Sequence, residues 1–271
     1  MTPKELQASL HSGRRVYGTF IASTSPRWPS SVAQIGLDFV FIDTEHVPLD
    51  RETLSWMCQT YAGLGLPPIV RIPSPDPYAA CMALDAGAAG IIAPYVETVE
   101  EVRQLRGAVK LRPVKGARLQ AVLEGRAAFE PALASYQQAH HAEKLLIINV
   151  ESRPAMDNLD DLLAVEGLDS VLIGPHDLSC SLGVPEQYDA PVFEEAVVTI
   201  FKKARARNVG AGIHSWMGIE REIAWAAAGL NFIIHSGDII AMRESLGADI
   251  SRLRQTLDGA ARKQGDAAEN I

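Results

Sequence analysis

Eight short apolar runs recur along the chain, most of them rich in Val, Ile, Leu or Phe and all too short for buried helices. They fall at 17–22 (YGTFIA), 38–43 (DFVFID), 68–72 (PIVRI), 90–93 (GIIA), 145–150 (LLIINV), 170–174 (SVLIG), 210–213 (GAGI) and 231–235 (NFIIH). Apolarity that runs on rather than alternating marks parallel strands covered on both faces. Segments with helical spacing lie between them, at 50–63, 97–109, 192–208 and 217–229. Asp50 and Thr98 are placed to cap two of these helices, and Gly63 and Gly229 to end two. Eight strand–helix units in 271 residues predict an α/β fold, a closed (β/α)₈ (TIM) barrel in a single domain, over an open doubly wound sheet.

Two stretches depart from this rhythm. The connection 94–144 is long and holds a basic loop at 110–118 (KLRPVKGAR) and a second helix near 127–142. Such insertions serve as substrate loops or oligomer contacts. Beyond about 241 the pattern predicts a C-terminal helical extension, about 242–263, used in oligomer contacts, and a flexible polar tail over about 264–271.

Composition narrows the partners. Hydrophobic residues make up 47% of the chain, enough for a large core, and the charged fraction of 21% argues against disorder. The net charge is −8 and no Lys/Arg run offers a nucleic-acid face, so a small-molecule partner is expected. The N-terminus is polar, and no run approaches the roughly 18 apolar residues of a membrane span. Cys58, Cys81 and Cys180 lie far apart, which fits free thiols and a cytoplasmic location.

In such a barrel the chemistry gathers where strands end. Strand two ends in Asp43-Thr44-Glu45-His46 and strand three in Arg71, with Asp85 just before strand four. Strand five ends in Asn149-Val150-Glu151, and strand six runs into Gly174-Pro175-His176-Asp177. Strand seven ends in His214-Ser215-Trp216 and strand eight in His235-Ser236-Gly237-Asp238. Any one of these is readily a solvated loop residue; so many on one rim point to a site. Glu151 and Asp177 stand on adjacent strands, and two hard oxygen ligands suit an octahedral divalent ion that keeps several waters. The alternative is a surface salt bridge between Glu151 and Arg153. His46 has acidic company in Asp43 and Asp85, as a proton-transferring histidine needs. Arg71 supplies a permanent cation for a carboxylate or an enolate oxygen. No lysine is well placed for a Schiff base, and no nucleophile elbow, P-loop or dinucleotide fingerprint is present.

The segments FVFIDTEHVPLD (39–50), VRIP (70–73), LDAGAAGIIAPYVET (84–98), NVES (149–152) and NLDDLLAVEGLDSVLIGPHDLSCSLG (158–183) together resemble the HpcH/HpaI class II aldolases over most of the chain. The resemblance implies a metal-dependent lyase that cleaves 4-hydroxy-2-oxo acids to pyruvate, or a close 2-oxo acid, and an aldehyde. It implies Glu151 and Asp177 as ligands of Mg²⁺, Mn²⁺ or Co²⁺, with Arg71 at the keto oxygen. His46 is then the general base, and Asp43 and Asp85 are its supporting carboxylates. Gly174, His176 and Asp177 hold the substrate carboxylate on backbone amides, and the barrels form homo-oligomers, hexamers or trimers, with exchanged C-terminal helices. Three departures bear on the substrate-binding set of Asn149, Gly174, Pro175, His176, His214 and Trp216. Asn149 stands where Gln is usual, His176 replaces a smaller residue or Asn, and the 113–119 segment lacks its last glycine. A citrate-synthase-like condensation of a 2-oxo acid with an acyl-CoA is a second reading, and a non-catalytic acid-binding barrel a third.

Overall fold

The structure is a computed structural model that describes residues 1–259. Its strands are β1 Val16–Ile21, β2 Phe39–Asp43, β3 Pro68–Arg71, β4 Gly90–Ala93, β5 Leu145–Asn149, β6 Ser170–Ile173, β7 Gly210–Ser215 and β8 Phe232–Gly237. Each pairs in parallel with the next, and β8 closes on β1. Helices α1 (Pro3–Ser12), α2 (Trp28–Val32), α3 (Arg51–Gly63) and α4 (Pro77–Asp85) precede β4. Between β4 and β5 lie α5 (Val99–Lys110), α6 (Gly116–Leu123) and α7 (Pro131–His141). Then come α8 (Arg153–Asp157), α9 (Leu159–Leu162), α10 (Pro175–Ser181), α11 (Pro191–Ala206), α12 (Ile219–Ala228) and α13 (Asp238–Leu257).

Two apolar layers hold the barrel. Phe39, Phe41, Ile69, Ile92, Ile147, Leu172, Phe232 and Ile234 belong to the inner one, and Phe39 stacks on Phe232 with ring centroids 4.7 Å apart. The outer layer joins strands to helices through residues such as Ile42, Val70, Ile148, Ile173 and Phe201. The period-two alternation of a strand puts Asp43 on the same inward face as Phe39 and Phe41, one step above them. Register then sets Asp43 directly beside Arg71 of β3.

Local signals act as the sequence indicates. The Asp50 side chain accepts from the Thr53 N–H at 2.8 Å, and Thr98 forms a reciprocal capping box with Glu101. Gly229 closes α12 in the left-handed region. The basic stretch 110–118 differs from the expected loop, because its last three residues begin α6. Leu119 and Leu123 of α6 pack on α5 at Gly107, where an added Cβ would meet them at 3.1 and 3.3 Å. The missing side chain at Gly107 makes room for α6, and the second helix expected near 127–142 is α7.

The C-terminal extension is one continuous helix from Asp238, so it begins earlier than the expected 242; its described part ends at Leu257. The expected tail, 264–271, lies outside the described residues. Along α13 a row of exposed apolar side chains, Ile239, Met242, Leu246, Ile250, Leu253 and Leu257, recurs every three or four residues. Among the described residues no helix is long and apolar enough to cross a membrane.

Candidate active site

A cavity of about 690 Å³ opens at the C-terminal ends of the strands. His46, Arg71, Asn149, Gly174, Pro175, His176, Asp177, His214 and Trp216 all line it, so most of the sequence candidates meet there. Asp43 and Glu151 stand just behind this wall. Asp43 is 3% exposed and grips Arg71 with both oxygens, Oδ1 accepting from Nε at 2.9 Å and Oδ2 from Nη2 at 2.5 Å. Burial alone would raise the Asp43 carboxyl, but the hydrogen bonds and charge of Arg71 outweigh it and hold the group below its ordinary value. Arg71 also lies 5.6 Å over the Phe41 ring, so the guanidinium is fixed on two sides.

Glu151 follows β5 and is 6% exposed. Its Oε1 accepts from the Tyr95 N–H and its Oε2 from Asn149 Nδ2, both at 2.7 Å. Arg153 does not pair with it; that guanidinium instead reaches the Leu182 carbonyl at 3.3 Å. Burial raises the Glu151 carboxyl to about 7 against the pull of its two donors, and the nearby Asp177 and Glu45 charges add to the rise. Gly174 lies between the two expected metal carboxylates. A Cβ there would sit 2.6 Å from Glu151 Oε2 and 3.5 Å from Asp177 Oδ2, so only glycine leaves the space between them open. Two convergent carboxylates, one unusually hard to ionise, fit a divalent cation. Among the described residues no cluster of three His, Cys, Asp or Glu side chains forms a fuller cage.

Two placements correct the expectations. Asp85 ends α4, on the return leg from the rim, and ion-pairs with Arg112 in a groove of about 770 Å³ outside the barrel. A residue just before a strand belongs to the opposite end of the barrel from one just after it, so Asp85 supports no histidine of its own chain. Asp43 is committed to Arg71, and the carboxylate nearest His46 is Glu45, with Oε2 3.8 Å from Nε2. His235 likewise turns away from the cavity, its Nδ1 meeting the Glu222 carboxylate of α12 at 2.9 Å.

Asn149 is fully buried, and its amide orientation is set by donation to Glu151. His214 is ringed by Phe20, Phe41 and Trp216, with centroids 5.4 to 5.8 Å away. Its Nε2 faces the Ser236 carbonyl at 2.9 Å, which only accepts, so the proton resides on Nε2. Burial pushes this imidazole down to about 4 and keeps it neutral. His176 lies between Glu186, 3.6 Å from Nδ1, and Cys180, 3.9 Å from Nε2.

Two further residues belong here, Glu45, which the sequence places on the rim without a role, and Tyr95, which it does not single out. Glu45 is 7% exposed, with Oε2 3.1 Å from Arg71 Nε. Tyr95 follows β4 with a left-handed φ of 55°, and its hydroxyl is hydrogen-bonded to Glu45, which with burial pushes the phenol up to about 12. The rule that strand ends carry chemistry, applied to the far end of β4, selects Tyr95 where the near end selected Asp85.

The comparisons agree with this fold. The model of the HpcH/HpaI aldolase/citrate lyase family matches residues 16–238, which include all the strands and the whole rim. The chain belongs to that family. It is 30% identical over 252 residues to 2-keto-3-deoxy-L-rhamnonate aldolase of Escherichia coli K12, covering 92% of this chain and 93% of the relative. Among solved structures it is similar to citrate synthase SbnG, with a TM-score of 0.78 and 29% identity over 93% of this chain and 98% of the other. A HpcH/HpaI aldolase from Desulfitobacterium hafniense DCB-2 also gives 0.78, at 25% identity over 92% and 96% of the two chains. The chain is accordingly an enzyme of the carbon–carbon lyase type.

Proposed function

We propose that this member of the family is a metal-dependent aldolase that cleaves, or forms, 4-hydroxy-2-oxo acids by way of pyruvate or a close 2-oxo acid and an aldehyde. The observation that carries this reading is the meeting of Glu151 and Asp177 around Gly174, beside the cavity that Arg71 enters. A divalent ion held by these two carboxylates would supply positive charge to the 2-oxo group. Arg71, oriented by Asp43, presents its remaining donors to the oxygen on which negative charge grows, a kind of stabilisation often dominant in enolate chemistry. His46 is on the open side of the cavity, where it takes the C4 hydroxyl proton in cleavage and returns it in condensation. The first-turn amides of His176 and Asp177 carry no side-chain cap and are free for the substrate carboxylate.

The aldehyde half faces His176, His214 and Trp216. The exposed apolar row on α13 supports assembly as a homo-oligomer through that helix, since each half-exposed Leu or Ile gains about 1 kcal/mol on burial. The test is direct: Glu151→Ala and Asp177→Ala should fold, lose divalent-ion binding and lose pyruvate release together. A fully active variant without bound metal contradicts the proposal.

A second reading, condensation of a 2-oxo acid with an acyl-CoA, has support in the likeness to citrate synthase SbnG and in Arg51, Arg112 and Lys115 along the outer groove. Release of free CoA from acetyl-CoA with oxaloacetate separates it from the first.

A further inference from the structure

Three carboxylates, Asp43, Glu45 and Glu151, act on the Arg71 guanidinium at the rim, and one of them, Glu45, has no task in the chemistry above. Its Oε2 lies 3.1 Å from Arg71 Nε, but that nitrogen carries one hydrogen and donates it to Asp43 Oδ1 at 2.9 Å. Oε2 is therefore close to a positive charge, inaccessible to bulk water, and accepts no hydrogen bond. A buried carboxylate oxygen left in that condition is costly unless a bound species supplies the donor.

The surroundings indicate which donor. Glu45 does not join Glu151 and Asp177 in one direct ligand set, yet its charge is felt at Glu151. Tyr95 touches both carboxylates, its N–H donating to Glu151 Oε1 at 2.7 Å while its hydroxyl engages Glu45. It does so from a left-handed backbone that is disfavoured for a bulky side chain, as is typical where a fold holds a residue for function. An ion with two protein ligands keeps several waters, and water polarised by a dication is a strong donor.

We propose that Glu45 is an outer carboxylate of the metal centre, accepting a hydrogen bond from a water of the ion's hydration shell, with Tyr95 as the positioning residue that aims it. This inference rests on the metal reading above. It distinguishes two ions: Mg²⁺, which gives up water reluctantly, depends on such an acceptor more than Mn²⁺ does.

The test is a titration of the metal-stripped full-length chain with Mn²⁺, read by the paramagnetic resonance of free Mn²⁺, with Mg²⁺ measured by competition. Glu45→Gln is expected to weaken Mg²⁺ about tenfold or more, and Mn²⁺ distinctly less. Tyr95→Phe and Tyr95→Gly, the second keeping the left-handed backbone, should shift the same preference by about two- to fivefold. Wild-type affinity in both Glu45→Gln and Tyr95→Phe overturns the proposal. Equal losses for the two ions in Glu45→Gln also overturn it, since they report bare charge. Failure of the wild-type chain to bind Mn²⁺ at all overturns the metal reading itself.

Discussion

Asp169 and Glu151 are both carboxylates buried at the ends of barrel strands, at opposite ends, and their surroundings push them in opposite directions. Asp169 precedes β6 at the N-terminal end and is 1% exposed. It accepts from Lys110 Nζ at 2.7 Å, from Gln7 Nε2 and the Leu146 N–H at 2.8 Å, and meets His11 Nε2 at 3.1 Å. Burial would raise its carboxyl, but these partners, with His11 and Lys110 foremost, bring it below the ordinary value. Glu151 at the catalytic end has two neutral donors and two acidic neighbours, and rises to about 7. One end of the barrel spends a buried charge on tying α1, α5 and β5 together. The other leaves Glu151 among acidic neighbours, the shortage that the proposed divalent ion would relieve.

The strongest way to break the contrast is to neutralise each carboxylate in turn. Glu151→Gln should lower pyruvate release by about three orders of magnitude, the scale of removing a main electrostatic stabiliser. Its urea-unfolding midpoint should stay at or above that of the wild type, because a crowded charge has gone. Asp169→Ala should do the reverse, costing about 3–5 kcal/mol in chemical denaturation by stranding Lys110, with turnover per folded molecule retained.

Histidine 214 sharpens the comparison from the neutral side. Its folded value of about 4 lies below the ordinary histidine range, so below about pH 6.5 the unfolded chain takes up a proton that the folded chain refuses. The fold therefore loses stability as pH falls from about 6.5 to about 4, by roughly 3 kcal/mol in total. Urea titrations at pH 7.0, 5.5 and 4.5 should show a shallower decline in His214→Gln than in the wild type; equal declines contradict the assignment.

A smaller effect is expected away from both ends. Leu246→Glu with Ile250→Glu on α13 should reduce the sedimenting mass and make the melting temperature of the remaining assembly depend more strongly on protein concentration. An unchanged mass removes α13 from the interface.

The barrel was legible because parallel strands write themselves as unbroken runs such as FVFID and LLIIN, and because Thr98 and Asp50 cap their helices where expected. Glu151, Asp177 and Arg71 could be singled out as candidates for a related reason: each stands at the end of a strand or within a few residues after it. Asp85 misled because proximity to a strand says nothing of which end it is near. Helix α6 was hidden where a basic stretch runs into Leu119 and Leu123, which pack on α5 through the absence of a side chain at Gly107. Tyr95 was hidden more deeply, since its role depends on a backbone conformation that its residue type does not announce. The union of Asp43 with Arg71, in place of His46, follows from β2–β3 register, which no single segment contains.

The central claim is that Glu151 awaits a cation and Asp169 already has one. Mn²⁺ binding, counted by paramagnetic resonance in the wild type, Glu151→Gln and Asp169→Asn, tests it most directly. The account predicts one ion per chain in the wild type and in Asp169→Asn, and a loss of that ion in Glu151→Gln. Undiminished binding by Glu151→Gln, or a folded Asp169→Asn that no longer binds, would contradict it.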